Sequence, residues 1–333
     1  MNKNLVPVIA GVVALTAGIF LGRGLFGKKS EAAETKQGAV QQTNSSYSLI
    51  NPFLDCIDAH RLDMRELQLF KPEITSYIDN VKKKYSDIYV SYYFRDLNNG
   101  VWMGINEKEV FSPASLMKVP VMIALLKEAE TNPGILGERV RYEKKKFEQV
   151  DEDSGVEKQD GSEYSIEEYL RQMIVNSDNA STIILLDKVG FEKVSKVQKD
   201  LNLYVEGLTD PNANFVAVNR YSGVFRILFN ASYLNKDMSE KALRLLSETV
   251  YNKGIREAVP EKYAVAHKYG ERDFFDEAGN RNTLQLHHFG IVFYTGKPYL
   301  LGIMTRGANR EVKEKIIYDL ARITFNEVDK QMK

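Results

Sequence analysis

The stretch Phe111-Ser112-Pro113-Ala114-Ser115-Leu116-Met117-Lys118-Val119-Pro120 constrains this chain more than any other. It follows a hairpin-like β segment and opens an apolar helical run, Val119 to Leu126, closed by Lys127-Glu128-Ala129-Glu130. Ser115 and Lys118 are three residues apart, so at a helix start they share one face, one turn apart. A hydroxyl is a weak nucleophile until a neighbouring base takes its proton. Lysine can be that base only where desolvation or a nearby cation lowers its pKa. Leu116, Met117, Val119 and Val121 surround Lys118 with apolar neighbours, which predicts burial, at a cost too high for an idle charge. A helix N-terminus adds N–H donors and a positive field beside the serine. An N-cap serine would be favoured there too, and cap and nucleophile are not exclusive.

Two further motifs follow in order. Ser177-Asp178-Asn179 interrupts two helical runs, and His267-Lys268-Tyr269-Gly270 ends a short β-like run. S-x-x-K, then S-D-N, then K-[TS]-G is the ordered signature of serine β-lactamases and penicillin-binding proteins. The segments around Ser115 and Ser177 closely resemble class A β-lactamase-like serine hydrolases, and the resemblance runs from about Ile88 to the C-terminus.

Composition narrows the alternatives. The chain has 333 residues, 44% of them hydrophobic, enough for one large core. Lys plus Arg and Asp plus Glu both number 45, so there is no basic footprint for nucleic acid. The single Cys56 excludes an internal disulfide framework and a cysteine-built metal site. Of the four histidines, His287 and His288 are adjacent in a β-like run, where neighbours face opposite ways and chelate poorly. No metal or cofactor is expected, and a monomer is expected.

Leu5 to Leu21 is apolar apart from one threonine, and Arg23, Lys28 and Lys29 follow it. It is just long enough to span a membrane, and no A-x-A cleavage site follows. Residues 1–26 therefore read as an uncleaved N-terminal anchor, with a cleaved signal peptide as the alternative. The heavier positive flank after the segment argues for a cytoplasmic body. The chemistry argues for an extracytoplasmic one, and the chemistry is preferred. Residues 27–70 form a polar tether and an irregular segment, and residues 71–333 form the catalytic domain.

Within that domain, Pro72 to Tyr85 has helical spacing, with Pro72 suited to a first turn. Ile88 to Phe94 and Val101 to Ile105 flank an Asn-Asn-Gly turn. Ser165-Ile166-Glu167-Glu168 matches a capping box. Glu192 to Leu201, Val218 to Leu234 and Ser239 to Tyr251 read as helices, and Glu311 to Val328 as a closing one. Ala264 to Tyr269, Phe289 to Tyr294 and Tyr299 to Thr305 read as strands. The expected fold is an α/β (α+β) sandwich. One five-stranded antiparallel sheet is backed by the first and last helices and faced by an all-helical lobe.

The resemblance implies roles. Ser115 would be the nucleophile, Lys118 the acylation base and Ser177 the proton shuttle to the leaving nitrogen. Asn179 would hold the acylamino side chain and contact the lysine, while Asp178 orders the turn. Lys268 would anchor the substrate carboxylate, and Gly270 would let backbone approach closely. The N–H of Glu271 would join that of Ser115 in an oxyanion hole. Two departures stand out. Tyr269 replaces the usual Thr or Ser, leaving Arg272, Arg281 or His288 to compensate. The family's E-x-x-L-N element is absent, leaving Glu206 and Asp210 as stand-ins for its water-activating glutamate. The implied activity is β-lactam opening through an acyl-Ser115 intermediate. The rivals are a D,D-peptidase acting on D-Ala-type peptides and a non-catalytic cell-wall binding module.

Overall fold

The structure is a computed structural model and describes residues 47–51, 64–147, 155–208, 210, 213–275 and 281–332. All lie in the second of the chain's two compact units, Ser45–Lys333. The proposed anchor, Leu5 to Leu21, lies outside the described residues. Among the described residues, no helix is long and apolar enough to cross a membrane.

Helix α1 (Met64–Lys84) buries Phe70, Ile74, Ile78 and Val81, one residue per turn. Pro72 is inside this helix and not in its first turn, because the helix begins earlier than the apolar spacing shows. Strands β1 (Tyr89–Asp96) and β2 (Trp102–Ile105) form the first hairpin. After β3 (Val110–Phe111) and a 3-10 turn comes helix α2 (Lys118–Ala129). Strands β4 (Arg139–Arg141) and β5 (Glu163–Ser165) pair ahead of helices α3 (Ile166–Val175), α4 (Asn179–Val189) and α5 (Phe191–Asp200). Ser165 and Glu168 make the capping box that starts α3. Then follow β6 (Val216–Ala217), α6 (Val218–Phe229), α7 (Lys236–Ser247) and α8 (Ile255–Ala258). The chain closes with β7 (Val265–Phe275), β8 (Arg281–Val292), β9 (Tyr299–Arg306) and α9 (Arg310–Gln331).

Five strands form one antiparallel sheet in the order β2-β1-β9-β8-β7, as expected. Alternate residues go to opposite faces, and two cores result. Tyr92, Leu286, Leu301 and Ile303 meet α1, α8 and α9. Tyr93, Phe289, Ile291, Leu300 and Met304 meet the helical lobe. In that lobe α2 is enclosed, with every residue from Lys118 to Leu126 buried.

Four elements have boundaries that differ from the sequence expectation. Strands β7 and β8 extend beyond Tyr269 and before Phe289, because the backbone ladder continues through polar pairs such as Arg272 with Gln285. Helix α6 ends at Phe229, close to Ala231, whose φ of +43° is not helical. Helix α7 starts at Lys236, because the Asn235 side chain caps it by accepting from Met238 N at 2.9 Å.

Residues 47–51 fall in the range assigned to the tether and irregular segment, yet they are packed on the helical lobe. The buried Glu240 carboxylate accepts from the N–H groups of Ser48, Leu49 and Ile50 at 3.2, 2.8 and 3.2 Å. Leu49 and Ile50 are buried in the lobe core.

Candidate active site

The backbone before Ser115 is held from three sides. Phe111 pairs with Val216 in the small β3–β6 sheet. Ser112 N donates to the buried Gln285 side chain at 3.1 Å, and His287 Nε2 donates to Ser112 O at 2.9 Å. His287 Nδ1 accepts from Thr305 N, which leaves the proton on Nε2. Residues Ala114–Met117 then form the 3-10 turn that leads into α2. Ser115 caps nothing: the N-cap of α2 is Met117, which makes no side-chain cap bond. Among the described residues, the half-buried Ser115 hydroxyl makes no hydrogen bond. Its position does not serve the helix.

Strand β7 lies against this turn, and Gly270 is the point of contact. A Cβ at 270 would be 2.8 Å from Pro113 O and 3.1 Å from Leu116 N. Only glycine allows that approach. The outer edge of β7 follows from two carbonyls. His267 O accepts from Thr249 Oγ1 at 3.0 Å and Tyr269 O from Lys268 Nζ at 3.2 Å, both away from the ladder. One residue's N–H and C=O share an edge in an antiparallel strand, and alternate residues repeat it. The register is unbroken through this stretch, so Glu271 N–H points to the same outer edge.

The S-D-N turn brings the rest. Asp178 caps α4 by accepting from Ser181 N at 2.6 Å. Ser177 is held at φ +60°, a left-handed conformation that costs a non-glycine residue about 1–3 kcal/mol. The strain aims both its oxygens at lysines. Lys118 Nζ donates to Ser177 O, to Ser177 Oγ at 3.2 Å and to Asn179 Oδ1 at 2.7 Å. Lys268 Nζ donates to the same Ser177 Oγ at 2.8 Å.

Burial lowers the Lys118 pKa to about 8, against a smaller opposing pull from Asp178. Lys268 is fully buried and is held well below the usual lysine range, first by desolvation and then by the Lys118 charge. At 1.36 kcal/mol per pKa unit, the Lys118 shift costs the fold about 3 kcal/mol. Because the folded pKa is the lower one, that cost is complete below about pH 8 and disappears as pH rises through the unfolded value. Lys118, Ser177, Asn179 and Lys268 are thus joined by hydrogen bonds, and Gly270 packs against the turn that carries Ser115.

Tyr269 is different. Its half-buried ring stacks on Tyr251 with centroids 4.0 Å apart, and Lys268 Nζ lies 4.6 Å from its centroid. Tyr251 carried no motif and was not legible as part of the site. His288 does not compensate for the missing hydroxyl, since it is buried beneath Tyr251 and bonded to Ile255 N and His267. The Arg281 side chain lies outside the described residues. Glu206 and Asp210 are both exposed.

A nucleophile-bearing turn, two buried lysines on one serine and a strand edge of N–H donors define a serine hydrolase acting on amide bonds. Residues 73–328 match the family described as the β-lactamase enzyme family, and the chain belongs to it. Solved structures agree on the fold. PBP-A is 18% identical, with 77% of this chain and 97% of that one covered at a TM-score of 0.63. A leucine-to-glutamate variant of PBP-A, solved as its acyl-enzyme complex with penicillin G, matches at 0.62, with 18% identity over 77% of this chain and 97% of its own. A β-lactamase from Chitinophaga pinensis is 19% identical, with 77% and 99% covered at 0.65. No curated protein matches the chain by sequence.

Proposed function

We propose that this enzyme opens β-lactam amides through an acyl-Ser115 intermediate and releases the acyl group slowly. The observation that carries the reading is the double use of Ser177 Oγ, which lies within hydrogen-bond reach of both buried lysines. The substrate carbonyl oxygen sits between the N–H groups of Ser115 and Glu271. Neutral Lys118 takes the Ser115 proton, and Oγ attacks the carbonyl carbon. As the carbon–nitrogen bond breaks, Ser177 gives its proton to the leaving nitrogen and regains one from the lysine pair. Intact mass after incubation with a penicillin and denaturation tests this. The expected result is a single adduct whose mass equals the whole antibiotic; an unmodified chain with unconsumed antibiotic overturns it.

A base of pKa about 8 is neutral in about one molecule in ten at pH 7. The acylation rate should therefore rise with pH through about 8 and level off above it. A rate constant from pH 6.5 to 9 would exclude Lys118 as the base.

A D,D-peptidase is the second reading, favoured by the exposure of Glu206 and Asp210, since a long-lived acyl-enzyme suits transfer to an amine. Either substrate class implies an extracytoplasmic body. Protease added outside intact cells should then degrade the domain, and full protection of it would count against this placement.

A further inference from the structure

Asp178 has a buried partner that no motif predicts. Lys158, from the irregular segment between β4 and β5, places Nζ 2.7 Å from Asp178 Oδ2. The two side chains are only 2% and 5% exposed. The ammonium also lies 5.5 Å from the Tyr142 ring centroid, and that ring is itself stacked on Phe147. A charge pair removed from water this completely is held in one geometry by its surroundings.

The location gives the pair its consequence. Asp178 is the middle residue of the turn whose neighbours, Ser177 and Asn179, supply the acceptors of Lys118. We propose that Lys158 is a positioning residue of this site: its ion pair with Asp178 fixes the strained S-D-N turn and neutralises the Asp178 carboxylate beside Lys118. It touches neither substrate nor the reacting atoms.

The charges around Lys118 make the effect directional. Lys268 approaches from β7, Asp178 from the S-D-N turn and Lys158 from the segment beyond it. Tyr169 of α3 also lies close enough to Asp178 to feel its charge, and its own pKa is raised, chiefly by burial. Asp178 is the anion that favours the charged form of Lys118. With Lys158 paired to it, that pull is offset. Without Lys158, the carboxylate acts on Lys118 unopposed, and the ammonium holds its proton to higher pH.

The inference rests on the acyl-Ser115 reading, and one experiment separates the two. Acylation by a chromogenic cephalosporin is followed from pH 6 to 10 in wild type, Lys158→Met, Lys158→Arg and Lys158→Met/Asp178→Asn. Reactive sites are counted by adduct mass, so misfolded protein does not enter the rates. For Lys158→Met the acid limb should move up by about one unit, which slows acylation about tenfold at pH 7 and restores it at high pH. Lys158→Arg and the double variant should return the limb towards wild type, because the carboxylate is again paired or its charge is gone. A purely structural lysine would lower the rate equally at every pH, and an unshifted limb in Lys158→Met overturns the proposal. No acylation by wild type would instead overturn the functional reading itself.

Discussion

Ser115→Ala will leave a folded protein that takes up no covalent label from a penicillin. The prediction is absolute because, among the described residues, neither Ser177 nor Ser112 is placed to attack. Ser177 Oγ accepts from Lys118 at 3.2 Å and from Lys268 at 2.8 Å, so both bases are already turned on it as donors. In the proposed reaction it delivers its proton to the leaving nitrogen. Ser112 is buried beneath the turn. Folding should survive the change, since the Ser115 hydroxyl neither caps α2 nor makes a hydrogen bond among the described residues. Deleting a nucleophile removes the covalent path completely, and binding energy cannot restore it. The measurement is intact mass after saturating antibiotic, with circular dichroism as the folding control. Full labelling of the folded variant would remove Ser115 from the mechanism.

The motifs were legible in the sequence because each is a short, local pattern with a mechanical requirement. Gly270 needs no neighbour to be suspected, and the 2.8 Å approach of Pro113 O supplies the reason for it. The β-rich runs of β1 and β9, buried almost throughout, and the apolar run of α2 disclosed the sheet and the buried helix equally well. What stayed hidden was non-local. Lys158 is a lysine in a polar loop, 20 residues from Asp178, and nothing in its own neighbourhood signals burial. Tyr251 looked like the end of a helix, and its stacking on Tyr269 depends on how the chain runs from α7 through α8 to β7. The outer halves of β7 and β8 carry charges that mask alternation, although their ladder is regular to Phe274. Pro72 misled for a different reason. Its missing N–H suits a first turn but does not prevent a helix from starting earlier.

With a good β-lactam, the wild-type enzyme should release one equivalent of product in a burst and then turn over slowly. In the proposed reaction acylation uses Ser115, Lys118, Ser177, Lys268 and the oxyanion donors, and of these Lys118 and Lys268 both donate to Ser177 Oγ. Deacylation needs a second base, held over the ester, to activate water. The two carboxylates that the sequence offers, Glu206 and Asp210, are both exposed. Asp210 stands four residues before Asn214, whose side chain accepts from Gln285 Nε2 at 2.9 Å. That bond fixes one end of the loop without burying the carboxylate. A positioned general base accelerates a step by about 100- to 10,000-fold, so its loss should leave hydrolysis of the ester slower than its formation by a factor in that range. The burst amplitude should equal the enzyme concentration, and the adduct should persist through the slow phase in the mass spectrum. Rapid steady-state hydrolysis with no burst would refute the prediction and make one of the two carboxylates the missing base. Glu206→Gln and Asp210→Asn would then be distinguished by which variant accumulates the acyl-enzyme.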